Sequence, residues 1–190
     1  MIKRWRWAVL FCLLPVGCAP LDDSLKNEAN ILMTDWATAH EDLAWVERNL
    51  AQSQVRCDRV IKQIHYSGAA QEDSVFRSYA DSIYKSYIWN CRSMEQLGTD
   101  TEHLMGRLKS THQNFNIFYK RLFKDDYSSD QDAAGRLAQY SRSCTGIRQD
   151  VGKLRDGLEH RIDYHNSLLE HLSKLSPVYA SLGTEVIHTQ

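Results

Sequence analysis

From Leu25 onward, apolar and small residues recur at alternating spacings of four and three: Leu25, Ala29, Leu32, Trp36, Ala39, Leu43, Val46, Leu50, Ser53, Cys57, Val60 and Ile64. Such a seam keeps one stripe of a helix turned toward a partner helix, as in a coiled coil. It predicts a first helix over 22–66. The same alternation runs through Phe76, Ala80, Ile83, Tyr87, Asn90, Met94, Leu97, Thr101, Leu104, Leu108, Thr111, Phe115, Phe118 and Leu122. A third seam runs through Leu137, Tyr140, Cys144, Ile147, Val151, Leu154 and Leu158, slips by one to Ile162, and continues through His165, Leu169 and Leu172.

The breaks between the seams are polar. Ser67-Gly68 ends the first, and the run from Asp125 to Asp130 reads as a loop whose last Ser or Asp can cap the third. Each helix is then about 45–55 residues, or roughly 70–80 Å at 1.5 Å per residue. The expected fold is all-α, an elongated antiparallel bundle of three long helices over 22–176, followed by a C-terminal tail over 177–190. An alternative is a four-helix bundle with a turn near Gly98. There, Leu97-Gly98 resembles a helix C-terminus, and Thr99-x-x-Glu102 a capping box. Against it, the seam keeps phase across Gly98.

Composition supports a helical, folded chain. Hydrophobic residues make up 43% and charged residues 25%, as in a soluble domain. No proline lies between Pro20 and Pro177, where ~5% average usage would place about eight. Proline costs ~3 kcal/mol inside a helix, so its absence fits near-continuous helix. A mean hydropathy of −0.49 with a single apolar run leaves no room for a multi-span membrane protein. A net charge of −1 gives no reason to expect a nucleic-acid surface.

The N-terminus carries an address. Lys3, Arg4 and Arg6 form a positive region, Ala8 to Leu14 an apolar stretch too short to span a bilayer, and Pro15-Val16-Gly17-Cys18 a small-residue processing site. This is the layout of a signal peptide over 1–17. The segment Leu14-Pro15-Val16-Gly17-Cys18 resembles the lipobox of bacterial lipoproteins, with Pro15 where Leu is usual. The resemblance implies that Cys18 is lipidated and becomes the mature N-terminus, with 18–21 as anchor and short tether. It further implies, because Ala19 rather than aspartate follows, placement in the outer membrane on the periplasmic side, with the inner membrane or the cell surface as alternatives. Losing Lys3, Arg4 and Arg6 takes the net charge to −4, so membrane attachment would rest on the acyl chains and not on basic residues.

With Cys12 removed and Cys18 acylated, Cys57, Cys91 and Cys144 remain, an odd number in an oxidising compartment. A turn at Gly98 would bring Cys91 and Cys144 to one height, making a disulfide between them possible. In three long helices they are roughly 28 Å apart and cannot bridge.

Catalytic signatures are missing: no G-x-S-x-G, Walker A, G-x-G-x-x-G, H-E-x-x-H or C-x-x-C-H occurs. Asp100-x-x-His103 is half of a di-iron motif at most. Asp156, His160 and Asp163 read as a solvated face, and His165 as a core histidine. No enzymatic activity, cofactor or metal is expected. The segment 76–89 is the most aromatic. Within it Trp89 falls on the polar face, and Tyr79 and Tyr84 flank the seam, which makes these three the candidate interaction residues.

A long bundle that buries its own seams offers extended charged faces, suited to docking rather than to enclosing a substrate. The expected function is a non-enzymatic, outer-membrane-anchored lipoprotein that scaffolds or docks an envelope protein. The alternative is a periplasmic binding bundle for a metal, haem or small ligand.

Overall fold

The computed structural model describes residues 22–68, 74–175, 179, 182 and 185–189, with side chains described for all of these except 65–68, 74–77, 80 and 175. The segments expected to be signal peptide and anchor, Cys18 among them, and the side chains of Phe76 and Ala80 lie outside the described residues. Among the described residues three α-helices make up the fold: α1 (Asp23–Gly68), α2 (Ser74–Leu122) and α3 (Asp130–Leu175). All three pack on one another. No helix among the described residues is long and apolar enough to cross a membrane.

The seams form the core. Ala29, Trp36, Ala39, Leu43, Val46 and Val60 of α1 are fully buried, as are Tyr87, Met94, Leu108, Phe115 and Leu122 of α2 and Leu158, Leu169 and Leu172 of α3. Cross-helix pairs set the direction. The contacts Cys57 with Met94, His40 with His112 and Asn30 with Tyr119 run α2 antiparallel to α1, whereas Asp35 with Arg148 and Cys57 with His165 run α3 parallel to α1.

Gly98 lies inside α2, so the layout with a turn there is not adopted. A Cβ at Gly98 would meet Gln54 Nε2 at 3.3 Å and Leu50 Cδ2 at 3.5 Å. Glycine here lets α1 approach closely, and Thr99 and Glu102 are exposed residues of a continuing helix rather than a cap. The turn on which a Cys91–Cys144 bridge depended is therefore absent. Both thiols, and Cys57, are free and buried.

The helix ends follow capping chemistry. Asp22 Oδ1 accepts from the Ser24 N–H at 2.9 Å, and Ser129 Oγ accepts from the Asp132 N–H at 3.2 Å. At the C-terminus of α2, Asp126 N–H bonds Arg121 O and Asp125 N–H bonds Leu122 O. This is the Schellman pattern, with Asp125 at φ 53° in the left-handed position glycine usually takes. Lys26 of α1 holds the Asp125 carboxylate at 2.9 Å.

Beyond α3 the structure describes Tyr179, Leu182 and residues 185–189 of the expected tail. Tyr179, Leu182 and Ile187 are buried against the helices. The Asn166 side chain pairs with the Ile187 backbone through two bonds of 2.9 Å, and Arg56 Nη1 donates to Val186 O at 2.6 Å.

Candidate functional site

Under this C-terminal segment lies a cluster of reactive side chains in an otherwise apolar interior. Cys57 comes from α1, Tyr87 and Cys91 from α2, and His165 from α3; Cys57 is 3% exposed, Cys91 7%, and the other two 0%. All but Cys91 occupy seam positions, so helical periodicity alone aims them at one another. Cys91 stands next to the seam residue Asn90, whose side-chain amide donates to Arg161 O at 3.0 Å.

The hydrogen bonds fix the imidazole. His165 Nε2 lies 3.1 Å from Glu185 O, a pure acceptor, so Nε2 carries the proton. Nδ1 is then the acceptor, and Tyr87 donates its O–H to it at 2.9 Å. Cys57 Sγ is 3.9 Å from the same Nδ1 and 3.8 Å from Met94 Sδ. Cys91 stands close enough on α2 for its thiol to be the strongest influence on Cys57.

These contacts split the two thiols. The Cys91 hydrogen bond, with a further contribution from His165, outweighs burial and lowers Cys57 to about 6. Cys91 is held well above its ordinary value, first by that same bond and then by burial. Burial also pushes the Tyr87 phenol far up. Cys144, alone near Asp35 and Arg148, is raised to about 11 by burial.

The aromatic candidates are spread rather than gathered. Trp89 is 56% exposed, with the Arg161 guanidinium 4.5 Å above its ring. Tyr79 is 50% exposed, and Tyr84 is partly buried against the core. Each step of five residues turns about 140° around α2, so Tyr84 points away from Tyr79 and Trp89, which stand about 80° apart. Among the described residues, no group of three or more His, Cys, Asp or Glu side chains is arranged to hold a metal ion.

A second imidazole site joins α1 to α2. His40 Nε2 lies 2.9 Å from His112 Nδ1, and the His112 ring stacks on Trp36 at 5.6 Å and 4°. One ring must donate and the other accept, so the contact exists only while one nitrogen lacks a proton. Burial lowers His40, with Lys109 adding to it, and burial lowers His112, with His40 adding to it. Both folded values therefore lie below the unfolded ~6.5. The resulting stability is complete above that value and is lost as pH falls through the depressed folded values. The melting temperature is expected to fall by a few degrees between pH 7 and pH 5, and His112→Phe should flatten that slope. An unchanged slope in calorimetric scans of the variant would assign the acid sensitivity elsewhere.

Reading the sequence by seams located Cys57, Tyr87 and His165 but not their meeting. It weighed Cys91 only against Cys144. The available signal was that Cys57 and Cys91 flank the first turn on consecutive helices. Comparison of the chain with protein-family models, with curated proteins and with solved structures finds no match.

Proposed function

We propose that this chain is a lipid-anchored, non-enzymatic helical strut of the bacterial cell envelope, tethered through Cys18 to the periplasmic side of the outer membrane, where it docks or scaffolds another envelope protein. The observation that carries the reading is the way three full-length seams pack inward. Side chains fill the interior along the helices, and the outward faces are laced by ion pairs such as Arg107–Asp150, Arg148–Asp35 and Arg155–Glu159. The grooves that remain are superficial. The one between α1 and α2, about 480 Å³, is bordered by Glu47, Gln54, Thr101, Glu102 and Lys109. Bundles that take a small ligand or metal keep a cavity or a ligand set between their helices. Here the buried Ser53, Thr101 and His165 find their partners within the chain itself.

Anchoring rests on residues 14–18 and the lipobox they resemble. Two or more acyl chains on one cysteine hold stably, because each buried CH₂ contributes ~0.8 kcal/mol. Cys18→Ser is expected to abolish incorporation of labelled fatty acid and to move the protein from the membrane fraction to the soluble fraction. Retention of the serine variant in membranes washed at high salt would overturn the anchor. Docking is tested by cross-linking the native lipidated protein in cells and identifying what is joined to it. Recovery of the chain joined to no other envelope protein would overturn the scaffold role.

A further inference from the structure

The thiol pair at the α1–α2 interface is buried, away from the outward faces on which docking is proposed. Cys57 and Cys91 are 34 positions apart, on two consecutive helices. Two contacts place the Cys57 sulfur against the stretch of α2 that contains Cys91. Met94, one turn beyond Cys91, has its sulfur 3.8 Å away. One turn before Cys91, the Tyr87 hydroxyl lies 2.9 Å from His165 Nδ1, the same nitrogen that the Cys57 sulfur approaches at 3.9 Å, and Cys91 is the strongest influence on the Cys57 thiol. Cys144 is remote from both. On α3 it lies beside Asp35 of α1, 22 positions and roughly 33 Å from the level of Cys57. Cys91 lies at the level of Arg161, 17 positions and roughly 25 Å from Cys144.

We propose that Cys57 and Cys91 are a disulfide-forming pair, bridged across the α1–α2 hairpin when the chain folds in the presence of a disulfide oxidant, with Cys144 left as a free thiol. That the bridge forms in the cell rests on the proposed export to an oxidising compartment; the pairing itself does not. The oxidant is a small-molecule or protein disulfide. The Cys57 thiolate attacks one of its sulfurs, forming a mixed disulfide and releasing one thiol. The Cys91 thiolate then attacks the Cys57 sulfur and releases the second. Two electrons pass to the oxidant, and the two cysteine protons end on the two thiols released. Both cysteines belong to the hairpin that is complete before α3 and the C-terminal segment exist in the chain. The oxidant thus meets them before His165, Glu185 and Ile187 cover them. Once covered, the bridge is shielded from reductants until the bundle opens.

The test uses the full chain with Cys12→Ser and Cys18→Ser, refolded from denaturant in a buffer of reduced and oxidised glutathione, alkylated and digested with trypsin without reduction. Cleavage places Cys57 in 57–59, Cys91 in 86–92 and Cys144 in 143–148. The expected product is 57–59 linked to 86–92, with 143–148 alkylated, and the same linkage when Cys144→Ala is added. Reduction after unfolding should lower the melting temperature by on the order of 10 °C, the size set by a closed loop of this length. Alkylation of both Cys57 and Cys91, or linkage of either to Cys144, would overturn the pairing. A second arm traps thiols in cells making the unaltered chain. Linkage after refolding but free thiols in cells would overturn the export reading and leave the pairing standing.

Discussion

Trp36→Ala is expected to lower the melting temperature by on the order of 10 °C, a loss of about 3–5 kcal/mol from a typical total of 5–15. Trp36 is fully buried and heads the largest side chains of the core. Its indole stacks on His112 and leans on Phe115 at a centroid distance of 6.2 Å. Phe115 continues the contact to Phe118, Tyr119 and Tyr140, so removing the indole undercuts the aromatic end of the bundle near the α2–α3 turn. It also frees the ring that holds His112 against His40. Trp36→Phe should cost far less. The indole Nε1 is buried without a hydrogen-bond partner among the described residues, and phenylalanine discards that unmet donor while keeping most of the contact area. Thermal unfolding of the two variants checks both statements. An alanine variant melting within a degree or two of the parent would show that this end of α1 is not core.

The fold was legible because helix seams are a long, redundant signal. Each seam repeats the same demand a dozen times, and nearly every described position in the three runs is buried. Even polar members conform, since Ser53 and Thr101 return their hydroxyls to the carbonyls of Asn49 and Leu97 at 2.7 Å. Single-residue signals were weaker guides. Gly98 reads equally as a helix end and as a thin place for α1 to approach, and only the seam's phase separates the two. The α2 terminus carries no glycine, because Lys26 stabilises an aspartate in the left-handed position. That support comes from ninety-odd residues away in sequence. The candidate site was harder still. Tyr84 is close in sequence to Tyr79 and Trp89 but points away from both, whereas Cys57, the Tyr87–Cys91 turn of α2 and His165 are far apart in sequence and converge. Convergence depends on the vertical registration of three helices, which loop lengths and the packing of Tyr179, Leu182 and Ile187 determine. None of these is encoded in a local motif.

His165→Ala is the second large effect expected, a loss of about 4 kcal/mol and a fall in melting temperature again on the order of 10 °C. The imidazole has 0% exposure and satisfies two partners at once. Without it the Tyr87 hydroxyl and the Glu185 carbonyl lose their bonds inside the core, at about 1–3 kcal/mol each, and a cavity adds to that. The Glu185 bond is also one of the ties holding the C-terminal segment, so the variant should yield residues 185–189 to carboxypeptidase faster than the parent. Tyr87→Phe makes a sharper comparison. It removes only the donor to Nδ1 and keeps the ring, so the loss should be about 1–3 kcal/mol, smaller than that of His165→Ala. Urea unfolding of the two variants checks this, and a Tyr87→Phe loss as large as that of His165→Ala would show that the Glu185 bond adds nothing. A His165→Ala loss near 1 kcal/mol would show that the imidazole does not bind the three helices and the C-terminal segment together.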